Sequence, residues 1–295
     1  MSNAEPRAAW IPTPAGRLFA ARWQPVDATG APIVLFHDSL GSVAQWRRFP
    51  ALLAAATGRE VIAYDRLGYG RSDRHSGRLE LDFIDDEART GFRQLREALG
   101  IGPFIAFGHS IGGGMAVACA AAWPGDCEAV VSLSAQAFTE DLTLQGVARV
   151  SAQFRPPEQL ARLAKYHGDK TGWVLDAWAD TWLDPGFADW TLDDDLHGVR
   201  CPLLALHGTL DEYGSARHPR RITALPQGPT TMRMLPGVAH FPHKERPELV
   251  LELVSGWLGM LPVDHRLLAS AGTSVESGAA PGSPMPVCGQ SVPSP

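Results

Sequence analysis

One serine lies between two glycines in the segment GHSIG, residues 108–112. An apolar stretch typical of a buried strand precedes it, and a run of small residues typical of a helix follows it. In this context the pattern G-x-S-x-G predicts a sharp strand-to-helix turn that presents the serine hydroxyl. The N–H groups at the start of the helix would stabilise negative charge that develops beside that hydroxyl. The pattern therefore favours a nucleophilic Ser110 over a serine that only caps a helix, because a cap does not require glycine on both sides.

A serine hydroxyl is a weak nucleophile at neutral pH and needs an adjacent base, which in turn needs a group that orients it. After a turn of this type, the acid and then the histidine follow the serine along the chain. Asp211 comes just after the apolar run LLALHG, and His240 lies between the last predicted strand and the last predicted helix. Glu212 and His243 compete with them for these roles. Because each follows a predicted strand, we expect nucleophile, acid and base to meet at one edge of a sheet.

Seven short segments, several of them continuous apolar runs, are typical of strands buried on both faces of a parallel sheet. Helical patterns alternate with them, and the patterns at 44–58 and 82–100 each end at a glycine, a common helix stop. A third helical pattern, at 245–261, closes the globular part. This order predicts an α/β fold with a doubly wound, mostly parallel sheet. The predicted strands are 17–23, 32–37, 61–65, 104–108, 129–134, 202–208 and 230–236.

One long segment interrupts the alternation of strands and helices. Residues 137–197 are dominated by helical patterns, and a structureless loop of this length would be unusual in a compact domain. We therefore predict a helical cap inserted at 137–197 into a core formed by 1–136 and 198–263. Residues 264–295 are rich in Gly, Pro, Ser and Ala with almost no large apolar residues, which predicts a disordered tail.

Five motifs resemble those of the α/β-hydrolase superfamily, in its small, soluble, capped branch of serine esterases and carbon–carbon hydrolases. The resemblance covers residues 33–261 and implies a Ser-His-Asp triad, with Ser110 as nucleophile, His240 as base and Asp211 as the acid that orients the base. It also implies a hydrolase that uses no cofactor. The motifs are LFHDSLGS, AYDRLGYGRSD, GHSIGG, LHGTLDEY and GVAHFPHKERPE.

The resemblance also decides between neighbouring candidates. The family pattern H-G-x-x-D ends on Asp211 rather than on Glu212, and the position of the family's base falls on His240 rather than on His243. His109, inside the turn, is common in the family pattern and is interpreted as a packing or orienting residue. Haloalkane dehalogenases and epoxide hydrolases of this fold carry Asp at the nucleophile position, so a serine there disfavours both activities.

An oxyanion hole is implied by the same resemblance, formed by the backbone N–H groups of Ile111 and Ser39. Many members carry H-G-x-x-G in the loop after the strand PIVLFH, whereas this chain has HDSLG, with Asp38 in place of the first glycine. A carboxylate is unfavourable beside a site that stabilises an anion. We therefore expect the Asp38 side chain to point away and bond local backbone as in an Asx turn, the alternative being that it tunes the site.

Aromatic residues and a histidine are the candidates for the substrate pocket: Trp46, His109, Trp178 and Trp182. Trp178 and Trp182 share a helical face at i, i+4 spacing and could form an apolar wall, although burial of the cap against the core explains these rings more simply. A small to medium carboxylic ester is the expected substrate, with a carbon–carbon bond or a lactone as alternatives. The fold also serves acyltransferases and ligand-binding, receptor-like modules.

Composition restricts the partners and the compartment. The net charge of -6 argues against a nucleic-acid partner, and no apolar stretch is long enough to span a membrane. Four cysteines without ligand-like spacing predict a reducing, cytoplasmic setting and no metal site. No G-x-G-x-x-G turn follows the first strands, so no redox cofactor is expected. The expected partner is a small-molecule acyl substrate, and the chain could be a monomer or a homodimer.

Overall fold

The computed structural model describes residues 5–261, in which eight strands form one sheet. The strands are β1 (Arg7–Thr13), β2 (Gly16–Trp23), β3 (Ile33–Phe36), β4 (Val61–Asp65), β5 (Phe104–His109), β6 (Cys127–Leu133), β7 (Leu203–Gly208) and β8 (Thr230–Leu235). Their order across the sheet is β1-β2-β4-β3-β5-β6-β7-β8. The β1–β2 and β2–β4 pairs are antiparallel, and the other pairs are parallel. The predicted mostly parallel α/β sheet is thus confirmed.

Strand β1 is the one strand that the sequence patterns did not predict. It lies at the edge of the sheet and buries only Ile11, whereas Trp10 and Pro12 are exposed. A strand of this kind has no apolar run, and its proline is tolerated because one side of an edge strand needs no hydrogen-bonding partner.

Helices cover both faces of the sheet. They are α1 (Phe49–Thr57), α2 (Phe83–Arg89), α3 (Gly91–Leu99), α4 (Ile111–Ala122), α5 (Asp141–Phe154), α6 (Pro157–His167), α7 (Thr171–Trp182), α8 (Asp193–Gly198), α9 (Arg217–Ala224), α10 (Pro242–Glu245) and α11 (Pro247–Met260). Short 3₁₀ helices span Val43–Trp46, Gly168–Lys170 and Pro185–Phe187. The single helix predicted at 82–100 is wrong, because the chain breaks at Thr90 (φ -117°, ψ -90°) and divides it into α2 and α3. The Thr90 hydroxyl donates to the carbonyl oxygen of Asp86 at 2.8 Å, a local bond that competes with the helix.

Alternate side chains of each central strand enter two separate hydrophobic cores. In β3, Val34 and Phe36 pack into the core that contains α2, α3 and α4, whereas Ile33 and Leu35 pack into the core that contains α1 and α11. Burial on both faces explains the continuous apolar runs of the sequence. The sheet is therefore packed on both faces, and it gives rigid support to the loops at the carboxyl ends of its parallel strands.

Helices α5 to α8 lie between β6 and β7, in the segment 137–197 except that α8 ends one residue later, at Gly198. The separation of this segment from the core as a cap domain stays a prediction. The tail predicted at 264–295 lies outside the described residues. Among residues 5–261, none of the helices combines the length and the apolar character that crossing a membrane requires.

Candidate active site

Ser110 lies at the junction of β5 and α4, with φ 55° and ψ -127°. A positive φ is rare for a residue with a side chain, and such strain is common where a reactive group is presented. The turn is closed by hydrogen bonds from Ser110 N to Leu133 O at 2.9 Å and from Gly113 N to Ser110 O at 2.8 Å. The sequence thus folds here into the predicted strand-to-helix turn.

The two glycines of the GHSIG segment are required by close backbone packing. A Cβ atom on Gly108 would lie 1.8 Å from the carbonyl oxygen of Gly112. A Cβ atom on Gly112 would lie 2.2 Å from the carbonyl oxygen of Phe36, at the end of β3. No side chain fits at either place, so α4 can start directly against the end of the sheet only with glycine at both positions.

The three predicted catalytic side chains meet in one hydrogen-bonded line. Ser110 Oγ lies 3.0 Å from His240 Nε2, and His240 Nδ1 lies 2.9 Å from both carboxylate oxygens of Asp211. All three are largely buried, with Ser110 7% exposed. These are the contacts that a serine nucleophile, a general base and an orienting acid require.

The loop after β7 fixes the Asp211 carboxylate. Its Oδ1 accepts hydrogen bonds from the N–H of Tyr213 at 2.8 Å and of Gly214 at 3.1 Å, and His207 Nε2 lies 3.5 Å from its Oδ2. Burial opposes ionisation of Asp211, but the pKa of Asp211 is still lowered below its usual value. The main cause is the charge and hydrogen bond of His240, and His207 and the N–H of Tyr213 have smaller effects in the same direction. The carboxylate is therefore charged and can hold the imidazole of His240 in one orientation.

The competing acid and base lie elsewhere. Glu212 Oε2 is buried and has no hydrogen-bond partner among residues 5–261. The ring of His243 packs 4.8 Å from that of Trp46 and 4.6 Å from that of His109, within the core beneath the site. In this geometry Asp211 contacts His240, and His240 contacts Ser110, as the sequence predicted.

The loop after β3 passes directly beside Ser110. Ser39 and Leu40 both line the cavity over the serine, and the N–H of Ser39 has no acceptor in the described part of the chain. Ile111 is the first residue of α4, where N–H groups lack partners within the helix. Both backbone groups are thus available as donors, and their role as an oxyanion hole stays a prediction.

The Asp38 side chain makes the expected local bond and a second one. Its Oδ1 accepts from the N–H of Leu40 at 3.0 Å, and its Oδ2 lies 3.3 Å from Nδ1 of His109. Burial opposes its ionisation, but the hydrogen bond and charge of His109 and the charge of Lys244 hold the pKa of Asp38 well below its usual range. The residue therefore fixes the turn of its loop while it also lies at the cavity wall.

A cavity of about 440 Å³, including its mouth, opens over Ser110. Trp178 and Trp182 of α7 line it, and both are also largely buried in the core, so these rings fit both interpretations that the sequence offered. The predictions for Trp46 and His109 need correction, because neither residue lines this cavity. Trp46 is 4% exposed and packs against Phe49 and His243 in the core, and His109 is fully buried below the serine. The cavity walls are Asp38, Ser39, Leu40, Ser110, Gln136, Thr143, Val147, Trp178, Trp182, Tyr213, His240 and Phe241.

Gln136 is the polar wall residue that sequence reasoning missed. It follows the end of β6, and its Oε1 lies 3.3 Å from Ser110 Oγ. The position after a strand next to the nucleophile strand was a usable signal, because all carboxyl ends of parallel strands share one edge. Tyr213 and Phe241 were missed for a similar reason, since they lie next to catalytic candidates in loops that have no periodic pattern.

Among known proteins, a family model described as "alpha/beta hydrolase fold" matches residues 31–157. Three individual proteins are also informative. The non-heme chloroperoxidase of Streptomyces lividans is 27% identical over 268 residues, covering 79% of this chain and 92% of that protein. The (lyso)-N-acylphosphatidylethanolamine lipase of Bos taurus is 32% identical over 93 residues, or 32% of this chain, which spans only 27% of that lipase. The crystal structure of a Bacillus subtilis carboxylesterase has a TM-score of 0.66 and 19% identity over 87% of this chain and 93% of its own, a likeness of fold.

Proposed function

Because this chain belongs to the α/β-hydrolase-fold superfamily, we propose that it is a serine hydrolase that cleaves uncharged carboxylic esters. The observation that carries the proposal is the contact of Ser110 Oγ with His240 Nε2 at 3.0 Å, continued by His240 Nδ1 to Asp211 at 2.9 Å. A cavity whose wall combines apolar and aromatic side chains with a few polar ones lies directly over this line, as a site for an acyl group requires.

In the first half of the reaction, Ser110 Oγ attacks the ester carbonyl carbon while His240 Nε2 accepts the hydroxyl proton. Asp211 holds Nδ1–H of His240, so that the lone pair of Nε2 faces the serine. The negative charge on the carbonyl oxygen is stabilised by the backbone N–H groups of Ser39 and Ile111, together with the start of α4. His240 then gives its proton to the leaving alcohol, and an acyl ester of Ser110 remains.

In the second half, a water molecule replaces the alcohol. His240 Nε2 takes one proton from this water, and the resulting hydroxide attacks the acyl carbon. The same two N–H groups stabilise the second oxyanion. Its collapse breaks the bond to Ser110 Oγ, which takes the proton back from His240, and the carboxylic acid leaves.

The cavity wall favours an uncharged substrate. Among the described residues, neither lysine nor arginine lines it, and the pKa of the one wall carboxylate, Asp38, is held well below its usual range. A substrate carboxylate would lose its water there without a cationic partner, at a cost that a neutral ester or lactone does not have. Carbon–carbon hydrolysis of a carboxylate-bearing substrate is therefore the less favoured use of the same three residues.

Acyl transfer to hydrogen peroxide is a second candidate, favoured by the similarity to the Streptomyces lividans non-heme chloroperoxidase. In that reaction hydrogen peroxide attacks the acyl ester of Ser110 in place of water, and His240 takes its proton. The bond between the acyl carbon and Ser110 Oγ then breaks, Oγ takes the proton from His240, and a peracid leaves. Peracid formation from an ester and hydrogen peroxide, measured beside acid formation, distinguishes the two outcomes.

The test is hydrolysis of p-nitrophenyl esters from acetate to decanoate by the wild type, Ser110→Ala and Ser255→Ala. We expect Ser110→Ala to lose about 10³-fold or more in kcat, as removal of a triad nucleophile does. Ser255→Ala, in α11 at a distance from the cavity, should match the wild type. We expect short acyl chains to be preferred, because the cavity is small. A folded wild type that hydrolyses none of these esters, or an unchanged Ser110→Ala variant, would contradict the proposal.

A further inference from the structure

Ser110 is flanked by two loops from the neighbouring strands of the sheet. On one side, the loop after β3 brings Ser39. On the other side, β6 ends beside β5 and its following loop brings Gln136. Gln136 is only 2% exposed, yet it lines the cavity. Its amide thus faces the reacting atoms from the side opposite the predicted oxyanion hole.

The backbone around Gln136 is held on both sides. The N–H of Ala137 donates to His218 Nδ1 at 3.1 Å, and the carbonyl oxygen of Ala137 accepts from the N–H of Leu192 at 2.9 Å. Ahead of it, the carbonyl oxygen of Leu133 accepts from the N–H of Ser110. The backbone from which the Gln136 side chain extends is therefore held in place beside the turn that positions the serine.

The Gln136 amide is incompletely satisfied. Its single polar contact among residues 5–261 is the 3.3 Å contact with Ser110 Oγ. An amide group has two N–H donors and a carbonyl oxygen that can accept twice, so most of its hydrogen-bonding capacity is unused. Because Gln136 lines the cavity and its Nε2 atom is not fully enclosed, its N–H groups can donate to water or to a substrate group that enters.

The orientation of the amide follows from the reaction proposed above. The Ser110 hydroxyl has one hydrogen, and two acceptors are within reach, His240 Nε2 at 3.0 Å and Gln136 Oε1 at 3.3 Å. When the hydroxyl donates to His240, as base catalysis requires, the amide must turn its NH₂ group towards Oγ to avoid opposing lone pairs. One N–H then faces the serine oxygen, and the second N–H is free for the substrate.

We propose that Gln136 is a specificity-determining residue that selects esters with an acceptor oxygen close to the scissile carbonyl. The inference rests on the proposed function, since it uses the acyl ester of Ser110. In that ester the carbonyl carbon is one bond from Oγ, so an amide 3.3 Å from Oγ reaches substrate atoms roughly two or three bonds further along. An ether oxygen at the α or β position of the acyl group lies in this range. The favoured substrates are therefore short alkoxy- or hydroxy-substituted acyl esters.

The test compares p-nitrophenyl methoxyacetate with p-nitrophenyl butyrate, whose acyl groups differ by one ether oxygen in place of a methylene. For each protein we take the ratio of kcat/KM for the two esters, so that the difference in intrinsic reactivity cancels between proteins. In Gln136→Leu, which keeps the volume and removes the amide, this ratio should fall roughly five- to tenfold, the contribution of one neutral hydrogen bond. Gln45→Leu is the matched control, because Gln45 is half-buried but does not line the cavity, and its ratio should equal the wild-type value.

A fluorophosphonate that labels active serines separates the possible failures. If wild-type Ser110 is not labelled and neither ester is hydrolysed, the proposed function itself fails. If Ser110 is labelled in both proteins and Gln136→Leu slows both esters equally, the amide has only a structural role and the inference is overturned. Should Gln136→Leu not fold, Gln136→Met, with its unbranched side chain of similar length, is measured in the same way and decides between these outcomes.

Discussion

The imidazole of His109 donates a hydrogen bond from Nε2 to the backbone carbonyl oxygen of His240 over 2.7 Å. His109 directly precedes Ser110, so the last residue of the nucleophile strand holds the backbone of the proposed base. Its Nδ1 lies 3.3 Å from Asp38 Oδ2, in the loop that carries Ser39. One buried ring therefore connects the three loops that must keep their relative positions for the proposed reaction.

The first prediction concerns this ring. In His109→Phe the hydrogen bond to His240 is lost, and we expect kcat for p-nitrophenyl butyrate to fall about tenfold or more, because small displacements of a base are costly. KM should change little, since His109 does not line the cavity. In His109→Gln an amide N–H can still donate to the carbonyl of His240, so its kcat should lie between those of the wild type and His109→Phe. Equal losses in the two variants, or a loss in KM alone, would count against this role.

The contact between the three predicted catalytic side chains was predictable because it follows from topology. Ser110, Asp211 and His240 each follow a parallel strand, and the carboxyl ends of these strands share one edge of the sheet whatever the side chains do. The positions of Trp46 and Gln136 were not predictable in this way. Whether a residue in a loop points into a cavity or into the core depends on the exact path of the loop, which leaves no periodic signal in the sequence.

Among the helices and strands, too, some features were predictable from the sequence and others were not. Strands with both faces buried have apolar runs and were predicted within a few residues, whereas β1 buries a single residue and has no such pattern. The break at Thr90 was missed because the apolar periodicity continues from α2 into α3, although a β-branched residue followed by Gly91 weakens the helix locally. The pattern of apolar residues extends over the whole segment, so it does not indicate the one place where the Thr90 hydroxyl competes with the helix for a backbone carbonyl.

A second relationship joins the helical segment 137–197 to the loop after β3. His167, at the end of α6, accepts at Nδ1 from the N–H of Gly70 at 2.9 Å and donates from Nε2 to the carbonyl oxygen of Leu40 at 3.0 Å. Lys170 strengthens the same junction by donating to the carbonyl oxygens of Tyr69 at 3.2 Å and Gly70 at 2.8 Å. The position of Ser39 next to Leu40 therefore depends on a helix from another part of the chain.

The second prediction tests that dependence with His167→Phe, which removes both hydrogen bonds and keeps an aromatic ring. We expect a roughly tenfold loss in kcat/KM, as the loop that presents the Ser39 N–H loses one of its supports. Affinity for a trifluoromethyl ketone, which forms an oxyanion on the serine, should fall by a similar factor. Lys165→Ala, an exposed change on the same helix, should leave both values unchanged. A His167→Phe variant that loses thermal stability but retains full inhibitor affinity would show that the contact is only structural.

The third prediction concerns acid stability. Burial lowers the pKa of several histidines in the folded chain, among them His37, His167, His207, His218 and His243. The usual pKa of histidine, about 6.5, applies in the unfolded chain. At pH values between the lowered pKa and about 6.5, the unfolded chain therefore holds protons that the folded chain lacks, so stability falls as the pH falls through this range. The free energy lost is at most about 1.4 kcal/mol per pH unit for each histidine. Asp195 acts in the opposite direction, because burial and the hydrogen bond with Asp85 raise its pKa to about 8 and the folded chain binds its proton more readily.

A single variant isolates one histidine from this sum. The ring of His243 packs between those of Trp46 and His109, and its Nδ1 has no hydrogen-bond partner within residues 5–261, so a proton there finds no acceptor. His243→Phe keeps an aromatic ring and removes the titration, and its free energy of unfolding should fall less between pH 7 and pH 5 than that of the wild type. Urea unfolding at intervals across this range measures both slopes, with the exposed His197→Phe as a control that should follow the wild type. Equal slopes for His243→Phe and the wild type would mean that His243 does not stay neutral in the folded protein, and burial would then not be what controls its protonation.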